Sequence, residues 1–356
     1  MDDVMRIFRI LVPAVLLSLS SVTFGQSFDK AVTAYKSGEY TIAFPLFEFL
    51  AKSGAPAAQY NLGLMYADGR GTEKDIMKAI EWFRRSAEQG YAKGQNRLGI
   101  LYDDGEGVEQ DNLEAIKWYR RAAQQGSAEA QHNLGIMYDN GNGVSEDNAE
   151  AFTWYRAAAK QGYIKSQYNL GAMYHRGEGV SQDTSEAVRW YLRAAKQGYA
   201  NAQYNLAVIS EGAQSYAQNP EIPYISARQW YRRAAEQGHV SAQFNLGVMY
   251  ENARGIPRDY SEAAKWYRRA AEQGDHDAQT NLGIMYGKGH GFDRNFVVAY
   301  ALLSLGASQG NKTAINARDL ASDVLTPKQI KEARILSSEW RIGKPLPTER
   351  DVTTWP

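Results

Sequence analysis

The chain has 356 residues, in which 40 lysines and arginines balance 40 aspartates and glutamates, so its formal net charge is zero. A nucleic-acid-binding protein usually carries a basic excess, and this composition provides none. Because the chain contains no cysteine, it can form neither a disulfide framework nor a cysteine-based metal site. The composition therefore argues against a nucleic-acid partner.

The first 25 residues have the layout of a secretory signal peptide. Arg6 and Arg9 precede an apolar run over residues 10–19, and Thr23 and Gly25 supply the small residues of a cleavage site. The run is short for a bilayer-spanning helix and contains a proline. We therefore expect a periplasmic or secreted protein with no stable membrane insertion after cleavage. An uncleaved N-terminal anchor is the alternative.

One sequence pattern then recurs along most of the chain. It begins at Ala58 and closes at Gly90, and the copies that follow open at Gly94, Ala130, Ser166, Ala202, Ala242 and Ala278. Successive copies are 36 residues apart, except for one step of 40 residues between Ala202 and Ala242. A fixed period in this range is typical of a solenoid, in which each unit contacts mainly its neighbours.

The first half of each copy has the period of a helix. Ala58, Leu62 and Met65 fall on one helical face, and the repeated Gly63 beside them predicts a close approach of another helix. Glycine in a helix costs about 1 kcal/mol relative to alanine, so its recurrence needs a packing reason. A Gly-x-Gly turn, which begins at Gly69, then ends this helix.

The second half of each copy predicts another helix with a recurring start. Asp111 precedes Glu114 by three residues, which is close to a capping box with aspartate in place of serine or threonine. Trp118 and Tyr119 belong to the apolar stripe that follows, and Gly126 suits the left-handed position after the last turn. Each copy is therefore expected to be a helix-turn-helix that is stable only when stacked on its neighbours.

The combined pattern A-x-x-x-L-G-x-M-Y-x-x-G-x-G followed by D-x-x-E-A-x-x-W-Y-x-x-A-A-x-x-G resembles the Sel-1-like repeat of the tetratricopeptide superfamily. The resemblance covers residues 55–310 as seven units. It implies an all-α fold, a right-handed α/α superhelical solenoid of helix-turn-helix repeats. It also implies a scaffold or adaptor for protein complexes, or a regulator of them, often in bacterial envelopes.

The segments outside the repeats have separate expectations. Residues 26–54 look like a shorter tetratricopeptide unit that caps the array, with Pro45 where a second helix should lie. Residues 311–342 predict a C-terminal helical cap, and the proline-rich residues 343–356 predict a disordered tail. Repeat five carries an insertion over residues 211–224, which is either neutral drift or a partner-specific protrusion or hinge.

The concave face of such a superhelix is lined by the first helices. The predicted partner-binding residues are aromatic or imidazole side chains at one position and aliphatic side chains four residues later. They are Tyr60, His132, Tyr168, Tyr204 and Phe244, and Leu64, Ile100, Ile136, Ala172, Val208 and Val248. These rows predict a groove for an extended peptide or a helix of a protein partner. The alternative is that adjacent first helices bury the rows against each other. Asp68, Asp103, Asp104 and Asp139 lie towards one edge and favour a basic segment.

No catalytic motif is convincing. The five histidines show no ligand spacing, and the S-x-x-K at Ser27 and Lys30 has no companion motif. Residues 139–150 resemble a calcium loop, but glycines stand where oxygen ligands belong. We therefore expect no enzyme activity, cofactor or metal. A β-lactam-binding or β-lactamase-like enzyme and a purely structural spacer are the alternatives; the family members linked to β-lactams are cysteine-rich, unlike this chain.

Overall fold

A computed structural model describes residues 25–212, 227–254 and 256–353. The predicted signal peptide lies outside these ranges apart from residue 25, and so does most of the insertion of repeat five. Within the described ranges every regular element is a helix. None of the described helices is long and apolar enough to cross a membrane.

The helices follow the predicted period. Residues 25–36 form α1. The remaining helices are α2 Tyr40–Lys52, α3 Pro56–Asp68, α4 Ile76–Glu88, α5 Ala92–Asp104, α6 Asn112–Gln124, α7 Ala128–Asn140, α8 Asn148–Lys160, α9 Ile164–Arg176, α10 Thr184–Lys196, α11 Ala200–Gly212, α12 Ala227–Glu236, α13 Val240–Asn252, α14 Tyr260–Glu272, α15 His276–Lys288, α16 Phe296–Ala307, α17 Lys312–Ser322 and α18 Pro327–Glu339. The odd-numbered helices α3 to α15 are the first helices of the seven repeats, and the even-numbered helices α4 to α16 are the second helices.

The chain divides into two compact units, Met1–Gln182 and Asp183–Pro356. In unit 1 each helix from α2 to α8 packs against the next helix along the chain, and in unit 2 the same holds from α10 to α16. Contact between sequence neighbours throughout each unit is the arrangement of a solenoid. The all-α solenoid prediction is therefore confirmed.

The second helices are capped by the predicted acids, but only half of the expected capping box forms. The Asp111 carboxylate accepts a hydrogen bond from the main-chain N–H of Glu114 at 3.0 Å. The N–H of Asp111 donates to the carbonyl of Tyr102 at 2.9 Å, so it is not available to Glu114. The Glu114 carboxylate instead accepts from Lys117 at 3.0 Å. The cap therefore also fastens the second helix to the end of the first.

The recurring helical glycine has the predicted packing role. A Cβ atom on Gly99 would lie 2.6 Å from Cδ1 of Tyr119, whose side chain is 1% exposed. Within α3, α7 and α13 the equivalent glycines face the equivalent aromatic ring in the same way. In these four repeats the aromatic residue of the second helix therefore packs directly on the backbone of its own first helix.

The two ends of the array are also helical. Near the N-terminus, Phe47 of α2 and Leu62 of α3 belong to one buried cluster. Pro45 lies inside α2, which begins five residues earlier at Tyr40. Near the C-terminus, α17 and α18 pack against α16 and add Ala314 and Ala333 to its core.

The prediction of a disordered tail is wrong for residues 343–353. Leu346 is 1% exposed, and Val352 is also buried. The Gly343 N–H donates to the carbonyl of Glu272 at 2.8 Å, and a 3-10 turn spans Glu349–Asp351. Burial of Leu346 and main-chain pairing with α14 offset the entropy of ordering this segment, which local composition did not indicate. Residues 354–356 lie outside the described ranges.

Candidate protein-interaction surface

The aromatic row of the first helices joins neighbouring repeats. The Tyr60 ring lies 5.8 Å from the ring of Phe83 in α4 and 5.7 Å from that of Tyr91, which precedes α5. In unit 2 the Tyr204 ring stacks on His239 at 4.6 Å. Aromatic pairs at these separations stabilise packing beyond simple area burial. The row therefore has a structural role in addition to any role in binding.

His132 is the buried member of this row. It is 5% exposed, its Nδ1 lies 2.9 Å from Oγ of Ser166, and its ring contacts Tyr155 and Tyr163. Burial lowers the pKa of His132 to about 4, with a smaller contribution from Lys165. The imidazole is therefore neutral at physiological pH and is not accessible to a partner.

The aliphatic row is only partly covered. Ala172 is 6% exposed and offers no surface to a partner, whereas Val208 is 42% exposed. Nine of the eleven predicted residues keep accessible surface: Tyr60, Leu64, Ile100, Ile136, Tyr168, Tyr204, Val208, Phe244 and Val248. Burial between repeats thus accounts for His132 and Ala172 and leaves the other positions available.

In unit 1 the first helices form a hollow between α3 and α5, closed at one side by the start of α7. We call it the α3–α5 hollow. It encloses about 440 Å³, and its apolar wall includes Tyr60, Leu64 and Ile100. Lys93 and Glu129 stand at its charged rim. Six of its ten lining residues are polar or charged, so the hollow combines one apolar wall with a largely polar rim.

Two charged groups of the hollow, Arg97 and Asp68, are held by contacts within the protein. Arg97 pairs with Glu106 at 3.2 Å, and its guanidinium lies 5.7 Å from the centre of the Phe83 ring. Burial raises the pKa of Tyr60, and the nearby Glu129 raises it further. The Tyr60 hydroxyl therefore stays protonated and remains a hydrogen-bond donor at the rim.

The acids predicted to attract a basic segment are mostly engaged in the fold. The Asp103 carboxylate accepts from the Tyr119 hydroxyl at 3.2 Å, and Asp139 accepts from Tyr155 at the same distance. Asp68 pairs with Arg70 at 3.2 Å. Burial raises the pKa of Asp103 and of Asp139. The sequence analysis missed that these acids accept hydrogen bonds from buried tyrosines. The signal was present, because the acid precedes the tyrosine by 16 residues in both repeats.

The residues weighed for other chemistry are not assembled into a site. Over the described ranges no group of three or more histidine, aspartate or glutamate side chains is arranged to hold a metal ion. In the stretch that resembled a calcium loop, Asp139 accepts a hydrogen bond from Tyr155, and Glu150 accepts one from the Trp154 indole at 2.9 Å. The acids at both ends of that stretch are therefore engaged in contacts within the fold.

Comparison with one solved structure supports the fold. A Sel1 repeat protein from Oxalobacter formigenes is 31% identical, covers 84% of this chain and 89% of its own, and superposes with a TM-score of 0.62. A protective antigen present in uropathogenic Escherichia coli strains displaying an SLR fold is also 31% identical, over 90% of this chain and 84% of its own, with a TM-score of 0.45.

Among curated proteins the matches are short. DAP3-binding cell death enhancer 1 of Mus musculus is 51% identical over 45 residues, which is 13% of this chain and 9% of the mouse protein. The chain thus aligns with less than a tenth of that relative.

The Sel1 repeat family matches the chain over seven consecutive segments, at residues 56–91, 92–127, 128–163, 164–199, 200–239, 240–275 and 276–311. These segments are contiguous, and each of the five described in full contains one first helix and the second helix that follows it. The chain belongs to the Sel1 repeat family, within the tetratricopeptide-like superfamily.

Proposed function

We propose that this protein is an exported scaffold that binds an extended segment of a partner protein across the α3–α5 hollow. The observation that carries the proposal is the hollow itself, where Tyr60, Leu64 and Ile100 present partly exposed apolar surface beside polar groups. Sel1 and related helical repeats commonly bind protein partners. Apolar surface kept open on a stable array needs a reason, and partner binding supplies one.

The hollow suits side chains of an extended peptide. Its volume of about 440 Å³ accommodates a few side chains, and the peptide main chain would run over the charged rim. Asn96 at this surface accepts a hydrogen bond from Asn133 at 3.1 Å, so the rim is ordered before a partner arrives. A preordered rim lowers the entropy lost on binding.

Binding at the hollow can be tested with a photo-crosslinking residue at Lys93, which is exposed at its rim, and with a matched one at Lys36 in α1. In the native host we expect Lys93 to give one dominant adduct and Lys36 to give none. Ile100→Asp should remove the adduct, because it places a charge in the apolar wall. Leu113→Asp, at a side chain that is 67% exposed, should leave it unchanged.

Two results would contradict this assignment. One is equal crosslinking from Lys93 and Lys36. The other is an adduct that survives Ile100→Asp while circular dichroism shows the helical content preserved.

Export rests on the N-terminal sequence and is tested separately. Mass spectrometry of the protein from its host should find a mature N-terminus at residue 26, and fractionation should place the protein in the periplasm or the medium. A cytoplasmic chain that retains Arg6 would reject export while leaving the peptide-binding proposal intact.

A further inference from the structure

The C-terminal segment of unit 2 shows how this solenoid holds a peptide on the side of its second helices. The N–H of Gly343 donates to the carbonyl of Glu272 at 2.8 Å, and the N–H of Leu346 donates to the Glu272 carboxylate at 3.4 Å. Further along, the Glu349 carboxylate accepts from the Tyr286 hydroxyl at 3.0 Å. One glutamate of α14 and one tyrosine of α15 therefore anchor the segment.

An arginine strengthens this contact. Arg268 of α14 donates to the Tyr286 hydroxyl oxygen at 2.9 Å, so the hydroxyl accepts from a cation while it donates to a carboxylate. Hydrogen bonds in such a chain polarise and reinforce one another. Tyr286 is 1% exposed beneath the segment and beside Phe292, whose ring stacks on it at 4.1 Å.

The same three residues recur in unit 1 at equivalent places in the repeat. Arg84 of α4 donates to the Tyr102 hydroxyl at 2.8 Å, and Glu88 stands four residues after Arg84, as Glu272 does after Arg268. Arg120 donates to the hydroxyl of Tyr138 one repeat later. Within the described ranges nothing accepts a hydrogen bond from either tyrosine hydroxyl, and both rings are half-exposed.

We infer that the second-helix edge of unit 1, at the Arg84–Tyr102 and Arg120–Tyr138 pairs, binds an extended acidic segment of a partner protein. Each tyrosine hydroxyl donates to a carboxylate of the segment while its arginine supplies the complementary charge. The exposed carboxylate of Glu88 accepts main-chain N–H groups of the same segment. This surface is separate from the α3–α5 hollow and does not depend on it.

Recognition at this edge is mainly polar. In unit 2, Leu346 belongs to the same buried cluster as Leu302 of α16. In α6 the residue at the repeat position equivalent to Leu302 is Trp118. This tryptophan is 4% exposed and packs in a buried cluster with residues of α4 and α5. The indole occupies space that an incoming leucine would need, so binding depends on charge and weakens as salt rises.

The test uses the full chain with its own C-terminal segment in place. The probe is a fluorescent peptide of residues 343–353 that carries Leu346→Glu, which removes the leucine and makes the peptide acidic. We expect the peptide to bind and the double variant Tyr102→Phe/Tyr138→Phe to weaken binding about tenfold, because a charge-assisted hydrogen bond is lost at each site. A peptide that also carries Glu349→Gln should bind the unaltered chain about tenfold more weakly, because it lacks the carboxylate that the tyrosine hydroxyl contacts. Tyr286→Phe in the chain should change nothing, because that site stays occupied.

Three outcomes overturn the inference. They are no measurable binding, binding unaffected by the double phenylalanine variant, and binding lost on Tyr286→Phe alone, which would mean that the peptide exchanges with the chain's own segment. The phenylalanine substitutions remove only the hydroxyl group and keep the aromatic ring. Circular dichroism of the variants is the control that shows whether the fold is intact.

Discussion

Gln89 donates its side-chain amide to the side-chain carbonyl of Gln59 at 2.7 Å, and Gln59 donates to the main-chain carbonyl of Ala51 at 3.2 Å. Gln59 is only 4% exposed. We call this pair of glutamines a glutamine clasp. The same clasp recurs with Gln95 and Gln125, Gln131 and Gln161, Gln203 and Gln237, and Gln243 and Gln273. Each buried glutamine thereby satisfies a carbonyl near the end of the preceding second helix and binds the end of the following one.

This clasp predicts that Gln131→Ala is costly for its size. The substitution removes two hydrogen bonds, one to the Ala123 carbonyl, which keeps only the Gly126 N–H, and one from the Gln161 amide. At about 0.5–1.5 kcal/mol for each bond, the expected loss is about 1–3 kcal/mol. Urea unfolding should show that loss. Gln161→Ala breaks one of these two hydrogen bonds and leaves the buried Gln131 oxygen without its donor, so it should cost at least half as much. No measurable loss for either variant would mean that these paired glutamines do not stabilise the array.

Two glycine-to-alanine substitutions should have opposite effects. Gly99→Ala places Cβ 2.6 Å from Tyr119, and forced overpacking typically costs about 1–3 kcal/mol. Gly287→Ala meets only the Ala299 Cβ, at 3.8 Å, so it should stabilise α15 by about 0.5–1 kcal/mol through helix propensity. Thermal unfolding of both variants measures the difference. A stabilised Gly99→Ala would show that the Tyr119 ring can move away at little cost.

The buried imidazole of His132 predicts a pH-dependent stability. Its pKa is lowered to about 4, below the value of 6.5 for an unperturbed histidine, so the unfolded chain binds a proton more readily over this interval. Stability should therefore fall as pH falls from about 6.5 to about 4, by about 3 kcal/mol from this group, and the contribution then levels off.

The control for His132 follows two other repeats, which carry tyrosine and alanine at these two places: Tyr168 with Ala202, and Tyr204 with Ala242. His132→Tyr combined with Ser166→Ala removes the imidazole and its buried hydroxyl partner. Denaturant unfolding at several pH values should show a flatter dependence for the variant between pH 4 and 6.5. Parallel curves for the two proteins would rule out His132 as the source.

The packing of residues 343–353 predicts a local loss of stability in unit 2 for Leu346→Ala. Truncation of a buried leucine typically costs about 2–5 kcal/mol. Hydrogen exchange should quicken in α14 to α16 and stay unchanged in unit 1. Ile342→Ala, at a side chain that is 71% exposed, should have little effect and serves as the matched control. Rapid exchange of residues 343–353 in the unaltered protein would contradict the packing itself.

The candidate site was only partly predictable. Periodicity placed Tyr60 and Ile100 on the first-helix face, and both line the α3–α5 hollow. The same periodicity placed His132 there, yet Ser166, Tyr155 and Tyr163 bury it. Those neighbours belong to another helix of the repeat and to the next repeat. A one-dimensional pattern gives the direction of a side chain but not how closely its neighbours approach.

The sequence by itself determined the helix pairs, their period, the acids that begin each second helix and the membership of one repeat family, because each of these depends on residues close together in the chain. Only the tertiary structure decided that residues 343–353 are held against unit 2 and that Tyr286 is covered while Tyr102 is open. Both outcomes depend on contacts between residues far apart in sequence, such as Glu272 with Leu346, for which the local pattern carries no signal.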